Sequence, residues 1–191
     1  MRTTIICLLL ISGLMACKEQ KATQPSETEA AAAPPAQKDR LILLAERHGF
    51  DQWEGVEEIR FTFNVDRGEN HFERSWRWKP AEGEVTRISG TDTVTYARAA
   101  VDSTLTEVDA AFINDKYWLL APYQWVWDRD SFTHSFEEDV PAPISGTPSD
   151  KLTIVYGNKG GYTPGDAYDF YFGADSLVSE WDFRKGNQAD P

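Results

Sequence analysis

The stretch Ile59-Arg60-Phe61-Thr62-Phe63-Asn64-Val65-Asp66 alternates apolar and polar side chains without interruption. A period of two residues is typical of a β-strand that buries one of its faces. Similar short segments follow at residues 72–78, 85–89, 93–99, 132–136, 152–156, 168–172 and 177–183. Short strands joined by turns, without long helices between them, predict an antiparallel sheet.

One amphipathic helix is predicted upstream of these strands. Asp39 is a favourable N-cap, and Gly49 is suited to end the helix in the left-handed conformation. The residues between them that share one face at helical spacing are Leu41, Leu44, Ala45 and His48. Because that face is largely apolar, we expect the helix to pack against the sheet that follows it. The predicted fold class is mainly β within an α+β domain: a curved antiparallel sheet, shaped as a half-open barrel, with the N-terminal helix on its concave face.

Residues 117–127 contain the densest run of aromatic side chains in the chain. Pro122 lies within this run, and proline is excluded from the interior of central strands because it cannot donate a ladder hydrogen bond. We therefore expect an extended or partly helical segment that crosses the sheet, preceded by a short helix over residues 108–113.

The N-terminal region ends an apolar run with Leu14-Met15-Ala16-Cys17. Arg2 is followed by uncharged residues from 5 to 16, a run shorter than the roughly 20 residues that span a bilayer. A basic start, a short apolar core and a small-residue cleavage site are typical of a secretory signal peptide. The final tetrapeptide resembles the lipobox of bacterial lipoproteins, which implies that residues 1–16 are removed and that Cys17 carries a lipid. The alternative is an ordinary signal peptide with a chance cysteine.

Two further regions are predicted after the signal peptide. Residues 17–38 contain no aromatic and no large aliphatic side chain, so they cannot bury enough apolar area to offset their ordering entropy. We predict that they form a disordered tether behind the lipid anchor. Every Phe, Trp and Tyr lies after residue 40, and residues 39–191 are expected to form a single β-rich domain.

The charge pattern argues against several classes of function. The chain has a formal net charge of −12 and no cluster of Lys and Arg, so it is unsuited to binding nucleic acid or anionic lipid headgroups. The three histidines, His48, His71 and His134, lack the spacing of a metal site, and no metal or cofactor is expected. The two cysteines, Cys7 and Cys17, both precede the domain, and no G-x-S-x-G motif is present.

Aromatic side chains are the strongest candidates for ligand binding. Those expected to line an apolar cavity are Phe61, Phe63, Trp76, Trp78, Trp118, Trp125, Phe170 and Phe172. Two alternatives remain for this set: the rings fill the core between helix and sheet, or exposed tryptophans stack on sugar rings, as in a carbohydrate-binding module. A third alternative is a hydrolase-like enzyme that uses the local acid–base pair His48 and Asp51, although packing at the helix end is the more ordinary role for His48.

Three stretches of the chain form a recognisable combination. They are His48-Gly49-Phe50-Asp51-Gln52-Trp53 leading into Ile59-Arg60-Phe61-Thr62-Phe63-Asn64, Ala111-Phe112-Ile113-Asn114-Asp115-Lys116-Tyr117-Trp118-Leu119-Leu120, and Gly160-Gly161-Tyr162-Thr163-Pro164-Gly165-Asp166. The combination resembles a group of uncharacterised envelope lipoproteins from Bacteroidetes-type bacteria. More distantly, a helix followed by consecutive antiparallel strands is similar to the LolA/LolB lipoprotein carriers. That similarity implies a half-open barrel whose concave face holds acyl chains.

The resemblance also leads to expectations about the end of the chain and about function. Members of the group usually continue with more strands, which implies that the chain ending at Pro191 lacks its last strands. We expect a non-catalytic lipoprotein of the Gram-negative cell envelope, held at the outer membrane by the Cys17 lipid. Its partner would be an apolar molecule, such as an acyl chain or the anchor of another lipoprotein. The sequence leaves the oligomeric state open.

Overall fold

The computed structural model describes residues 38–159, 161–162 and 164–189. The expectations for the signal peptide, for Cys17 and for nearly all of the tether concern residues outside this part of the chain. Two helices and eight strands lie within it: α1 (Arg40–Arg47), β1 (Ile59–Arg67), β2 (Asn70–Lys79), β3 (Glu84–Ser89), β4 (Asp92–Ala97), α2 (Thr106–Trp127), β5 (Phe132–Pro141), β6 (Pro148–Tyr156), β7 (Ala167–Phe172) and β8 (Val178–Arg184).

The strands form two separate four-stranded antiparallel sheets. Each follows chain order, β1-β2-β3-β4 in the first sheet and β5-β6-β7-β8 in the second. The predicted α+β class and the antiparallel pairing are confirmed. The predicted single curved sheet in the form of a half-open barrel is wrong, because neither sheet is closed or strongly curled. The physical reason is that each sheet has a helix to cover its apolar face and does not need to curl over it.

Helix α2 separates the two sheets along the chain and supplies side chains to both hydrophobic cores. Phe112 and Trp127 pack in a first core with the first sheet, whereas Tyr117 and Trp125 pack in a second core with the second sheet. Apolar side chains are spread around the helix axis, so the helix packs on two sides, while Trp118 and Leu119 remain exposed. The short helix expected at 108–113 and the crossing segment expected at 117–127 are therefore parts of one helix.

Proline is tolerated inside α2 because the helix is kinked there. Leu120 has the non-helical angles φ −126° and ψ 34°, two residues before Pro122. Pro122 has no N–H to donate to the carbonyl of Trp118, and its ring crowds that turn, which is the usual cause of a sharp helix bend. As expected from Pro122, this segment is not a strand. The unexpected feature is that two helical halves continue across the kink.

Helix α1 begins and ends as predicted. The Asp39 carboxylate accepts a hydrogen bond from the Leu41 backbone N–H at 2.8 Å, and Gly49 follows the helix with φ +90°. Its packing partner differs from the prediction. Leu41 and Leu44 belong to the second core, with α2 and the second sheet, instead of packing on the sheet that follows in sequence.

The two cores contain most of the large buried side chains. The first core comprises Trp76, Trp78, Val85, Tyr96 and Phe112. The second core comprises Leu41, Leu44, Tyr117, Ala121, Trp125, Phe132, Leu152, Ile154, Tyr168, Phe170 and Phe172. The predicted aromatic faces of the strands are thus largely buried, with Phe72 exposed, and they pack against different partners in the two halves of the domain.

Candidate functional site

The structure divides the eight aromatic residues proposed for ligand binding into three sets. Those buried in the two cores are Trp76, Trp78, Trp125, Phe170 and Phe172. Phe61 is half-buried against the first core. Phe63 and Trp118 line an open groove. These eight side chains, which were expected to line one cavity, are thus distributed over two cores and a surface groove.

This hairpin groove lies where β1 and β2 extend past β3. The register pairs β3 with residues 75–79 of β2, so the outer end of the β1–β2 hairpin has no third strand beside it. There, Val65 is opposite Phe72 and Phe63 is opposite Arg74. The groove has a volume of about 560 Å³, and its lining residues are Phe63, Val65, Arg67, Asn70, Phe72, Arg74, Asn114 and Trp118.

A buried ion pair fixes the inner end of the hairpin groove. Arg74 donates to both carboxylate oxygens of Asp115, with N–O distances of 2.7 Å, and the indole N–H of Trp76 donates to the same carboxylate at 2.8 Å. Asp115 is 0% exposed. The two-pronged contact is the strongest geometry available to an Arg–carboxylate pair. It holds α2 against β2 and keeps the Arg74 guanidinium over the rings of Phe72 and Phe63, at 4.9 and 5.7 Å.

The groove combines apolar walls with positive charge at its rim. Trp118 is 41% exposed and Phe72 is 46% exposed, so both present uncovered ring surface. Arg67 also lines the groove, and no carboxylate among the described residues lies within ion-pair distance of it. The arrangement is suited to an elongated apolar molecule that carries a negative group at one end.

Sequence reasoning missed Phe72, Arg74 and Asn114 as groove residues and Asp115 as their support. One sequence feature could have indicated the ion pair. Arg74 is the single charge on the otherwise aromatic face of its strand, and a charge on a buried face requires an opposite charge. The groove exists because β2 is longer than β3 and because α2 lies beside the uncovered end of β2. No local sequence pattern encodes these relations.

The structure does not bring His48 and Asp51 together as an acid–base pair. The His48 Nε2 atom accepts from the Val178 backbone N–H at 3.2 Å, so Nδ1 carries the proton and donates to the Leu44 carbonyl at 2.8 Å. The Asp51 carboxylate accepts instead from the Gln52 side chain at 2.8 Å. Both ring nitrogens of His48 are therefore occupied: Nδ1 binds within the last turn of α1, and Nε2 joins that turn to β8.

The tryptophans do not form an exposed platform. All seven lie in the described part of the chain, and Trp118 is the only one of them that is exposed. Its ring packs edge-to-face against Trp181, with a centroid distance of 4.5 Å. A sugar ring would thus find one exposed indole at this surface.

Comparison with protein-family models, with curated proteins and with solved structures finds no match. In the described residues, no group of three or more His, Cys, Asp or Glu side chains is arranged to hold a metal ion. Over the same residues, neither helix is long and apolar enough to cross a membrane.

Proposed function

We propose that this chain is a membrane-anchored lipoprotein that binds an acyl chain with an anionic head in the hairpin groove. The observation that carries the proposal is the groove itself: about 560 Å³ bounded by Phe63, Val65, Phe72 and Trp118. A volume in this range is typical of small-molecule sites, and exposed apolar surface concentrated in one concavity favours an apolar occupant. Arg67 at the rim supports the choice of an anionic head over a neutral one.

The non-catalytic role is supported by the character of the groove lining. The Arg74 guanidinium is already paired with Asp115 inside the groove, and the other lining side chains are aromatic, aliphatic, amide or arginine. None of them is a nucleophile or a general base at neutral pH. A lipid anchor at Cys17 would hold this binding domain near the membrane from which an acyl chain could be taken.

We expect Trp118→Ala to weaken acyl-chain binding by about tenfold, which corresponds to about 1.4 kcal/mol. The exposed indole forms one wall of the groove, so its removal takes away apolar contact area from the ligand. Binding is measured by displacing the fluorescent probe anilinonaphthalene sulfonate from the full-length protein with dodecanoate. Dodecanol serves as the neutral comparison, and it should bind more weakly because it offers Arg67 no charge.

Leu119→Ala is the matched control for this experiment. Leu119 is 46% exposed, neighbours Trp118 on the same helix and does not line the groove. Its removal should leave dodecanoate binding unchanged. Equal losses in the two variants, or no displacement of the probe by dodecanoate from the wild-type protein, would count against the groove as the binding site.

We expect Cys17→Ser to move the protein from the membrane pellet to the soluble fraction of a Gram-negative host. A lipidated cysteine carries several acyl chains, and each buried methylene contributes about 0.8 kcal/mol to membrane binding. Cys7→Ser is the control, because Cys7 lies within the predicted signal peptide and should not affect anchoring. Recovery of the wild-type protein in the soluble fraction without detergent would contradict the anchor.

A further inference from the structure

A second concavity, the Lys116 pocket, lies apart from the residues of the hairpin groove. Its volume is about 300 Å³. Its lining includes Lys116, Gln124 and Asp128 from α2 and its C-terminal end, Tyr156 from β6, and Arg98 and Lys159 from the surrounding loops. Lys116 is not among the candidate residues from sequence.

Lys116 is a buried cation without an ion-pair partner of its own. The side chain is 8% exposed, and no carboxylate among the described residues lies within ion-pair distance of its Nζ atom. The amine lies over the rings of Trp127 and Trp78, at 5.0 and 5.6 Å from their centroids. Aromatic faces stabilise an ammonium group less well than water or a carboxylate does, so the charged form is disfavoured here.

Burial lowers the pKa of Lys116 from 10.5 to about 8. The nearby Asp128 carboxylate opposes this shift, and Arg98 adds to it. Asp109, which is paired with Arg98, raises the pKa of Lys116 slightly. Lys159 is a further positive group at the pocket wall. At neutral to mildly alkaline pH, a substantial fraction of Lys116 is therefore an uncharged amine, which is the nucleophilic form.

A chain of hydrogen bonds runs from Lys116 across the pocket. The Gln124 amide satisfies both of its ends when its oxygen faces Lys116: the oxygen accepts from Nζ at 3.2 Å, and the nitrogen donates to Asp128 Oδ2 at 3.0 Å. The Tyr156 hydroxyl donates to the same oxygen at 3.2 Å. Burial raises the pKa of Tyr156, which keeps this hydroxyl protonated as a donor. The chain fixes the position of the amine and joins it, through the Gln124 amide, to the Asp128 carboxylate.

We propose that the Lys116 pocket binds a small aldehyde or ketone with a negative charge and that the Lys116 amine captures its carbonyl carbon as an imine. The negative charge is inferred from Lys159 at the pocket wall, because no carboxylate among the described residues lies within ion-pair distance of it, whereas Arg98 is already paired with Asp109. The size is inferred from the volume of about 300 Å³, which is smaller than that of the hairpin groove. The proposal is independent of acyl-chain binding.

The capture step balances with water as its only other product. The Nζ lone pair attacks the carbonyl carbon, the C=O π bond breaks, and one proton passes from the nitrogen to the oxygen to give a carbinolamine. The nitrogen then loses its remaining proton, the hydroxyl group leaves as water with a proton, and the C=N bond forms. No oxidant or reductant takes part.

The test is reductive trapping with glyoxylate as the probe. The full-length protein is incubated with glyoxylate and cyanoborohydride, digested, and analysed by mass spectrometry for carboxymethylated lysines. We expect Lys116 to be modified at pH 8 about tenfold or more faster than Lys185, an exposed lysine in the same molecule, because far less of an ordinary lysine is neutral at that pH. The Lys116 rate should level off as the pH rises above 8, because the amine is by then mostly neutral.

Two controls separate a pocket effect from general lysine reactivity. Lys185→Arg should leave the Lys116 adduct unchanged, and unfolding the protein in urea before the reaction should abolish the preference for Lys116. Modification of Lys116 no faster than Lys185 in the folded wild-type protein would overturn the proposal. So would a Lys116 rate that continues to rise well above pH 8. Because the comparison is made within one molecule, it does not depend on the folding of a Lys116 variant.

Discussion

Asp115→Ala is expected to lower the free energy of unfolding by about 3–5 kcal/mol. The change removes a carboxylate that is fully buried and that accepts hydrogen bonds from both Arg74 and the Trp76 indole. The arginine charge and the indole N–H would then remain at the inner end of the groove without their acceptor. Unpaired buried polar groups retain their full desolvation cost. Urea denaturation followed by tryptophan fluorescence measures the change.

Two comparisons test the cause of this loss. Asp92→Ala removes an exposed carboxylate from the β3–β4 hairpin and should change stability by less than about 0.5 kcal/mol. The double variant Arg74→Leu, Asp115→Leu removes both charges, and it should be more stable than Asp115→Ala because no unpaired charge remains. If the double variant is less stable than the single variant, the ion pair stabilises the fold through its own attraction and not through the avoided cost of an unpaired charge.

Trp125→Ala is expected to lower the free energy of unfolding by a similar amount, about 3–5 kcal/mol. Trp125 is 0% exposed and lies edge-on to Phe170, Phe172 and His48, at centroid distances of 5.1, 5.8 and 5.9 Å. Truncation to alanine would leave a cavity between α1, α2 and the second sheet. The loss should greatly exceed that of Trp118→Ala. The Trp118 ring is partly exposed and has one close aromatic partner, and such an aromatic pair contributes about 1 kcal/mol.

Trp125→Phe is the informative control for the second prediction. The buried indole N–H of Trp125 has no hydrogen-bond partner among the described residues, so phenylalanine removes an unsatisfied donor while it retains most of the ring contacts. We expect this variant to lose less than half of the stability that Trp125→Ala loses. Similar losses for Trp125→Ala and Trp118→Ala would contradict the placement of Trp125 in the second core.

The strands were predictable because their information is local. The alternation from Ile59 to Asp66 sets both the type of element and its buried face, and β1 has the expected alternation of half-buried and exposed side chains. The helix from Asp39 was predictable for the same reason, because capping and spacing are local properties. The partner of each element was not predictable in this way. Nothing in the apolar face of α1 distinguishes the sheet that follows it from the one that is more than 80 residues away.

Helix α2 is the element whose extent was predicted least well from the sequence. Residues 106–127 carry apolar side chains on all sides, so they lack the one-sided periodicity by which helices are recognised. Pro122 added a local feature that argued for interruption. Only the two-sided burial of the helix between the sheets explains its composition. The same limit applies to the candidate sites, because Asp115 and Lys116 are neighbours in sequence yet contribute to different concavities.

The packing of α1 on the second core has a consequence for the time course of folding. A chain is synthesised from its N-terminus, so α1 emerges first, but its apolar face packs on β5–β8 and on Trp125 of α2, which emerge last. The hydrogen bond from the Val178 N–H to His48 joins residues 130 positions apart. The first sheet, by contrast, can acquire its cover as soon as α2 has been made. Contacts between distant residues form slowly. We therefore expect α1 to dock only after β5–β8 have formed, and Leu41 and Leu44 to be exposed to other chains until then.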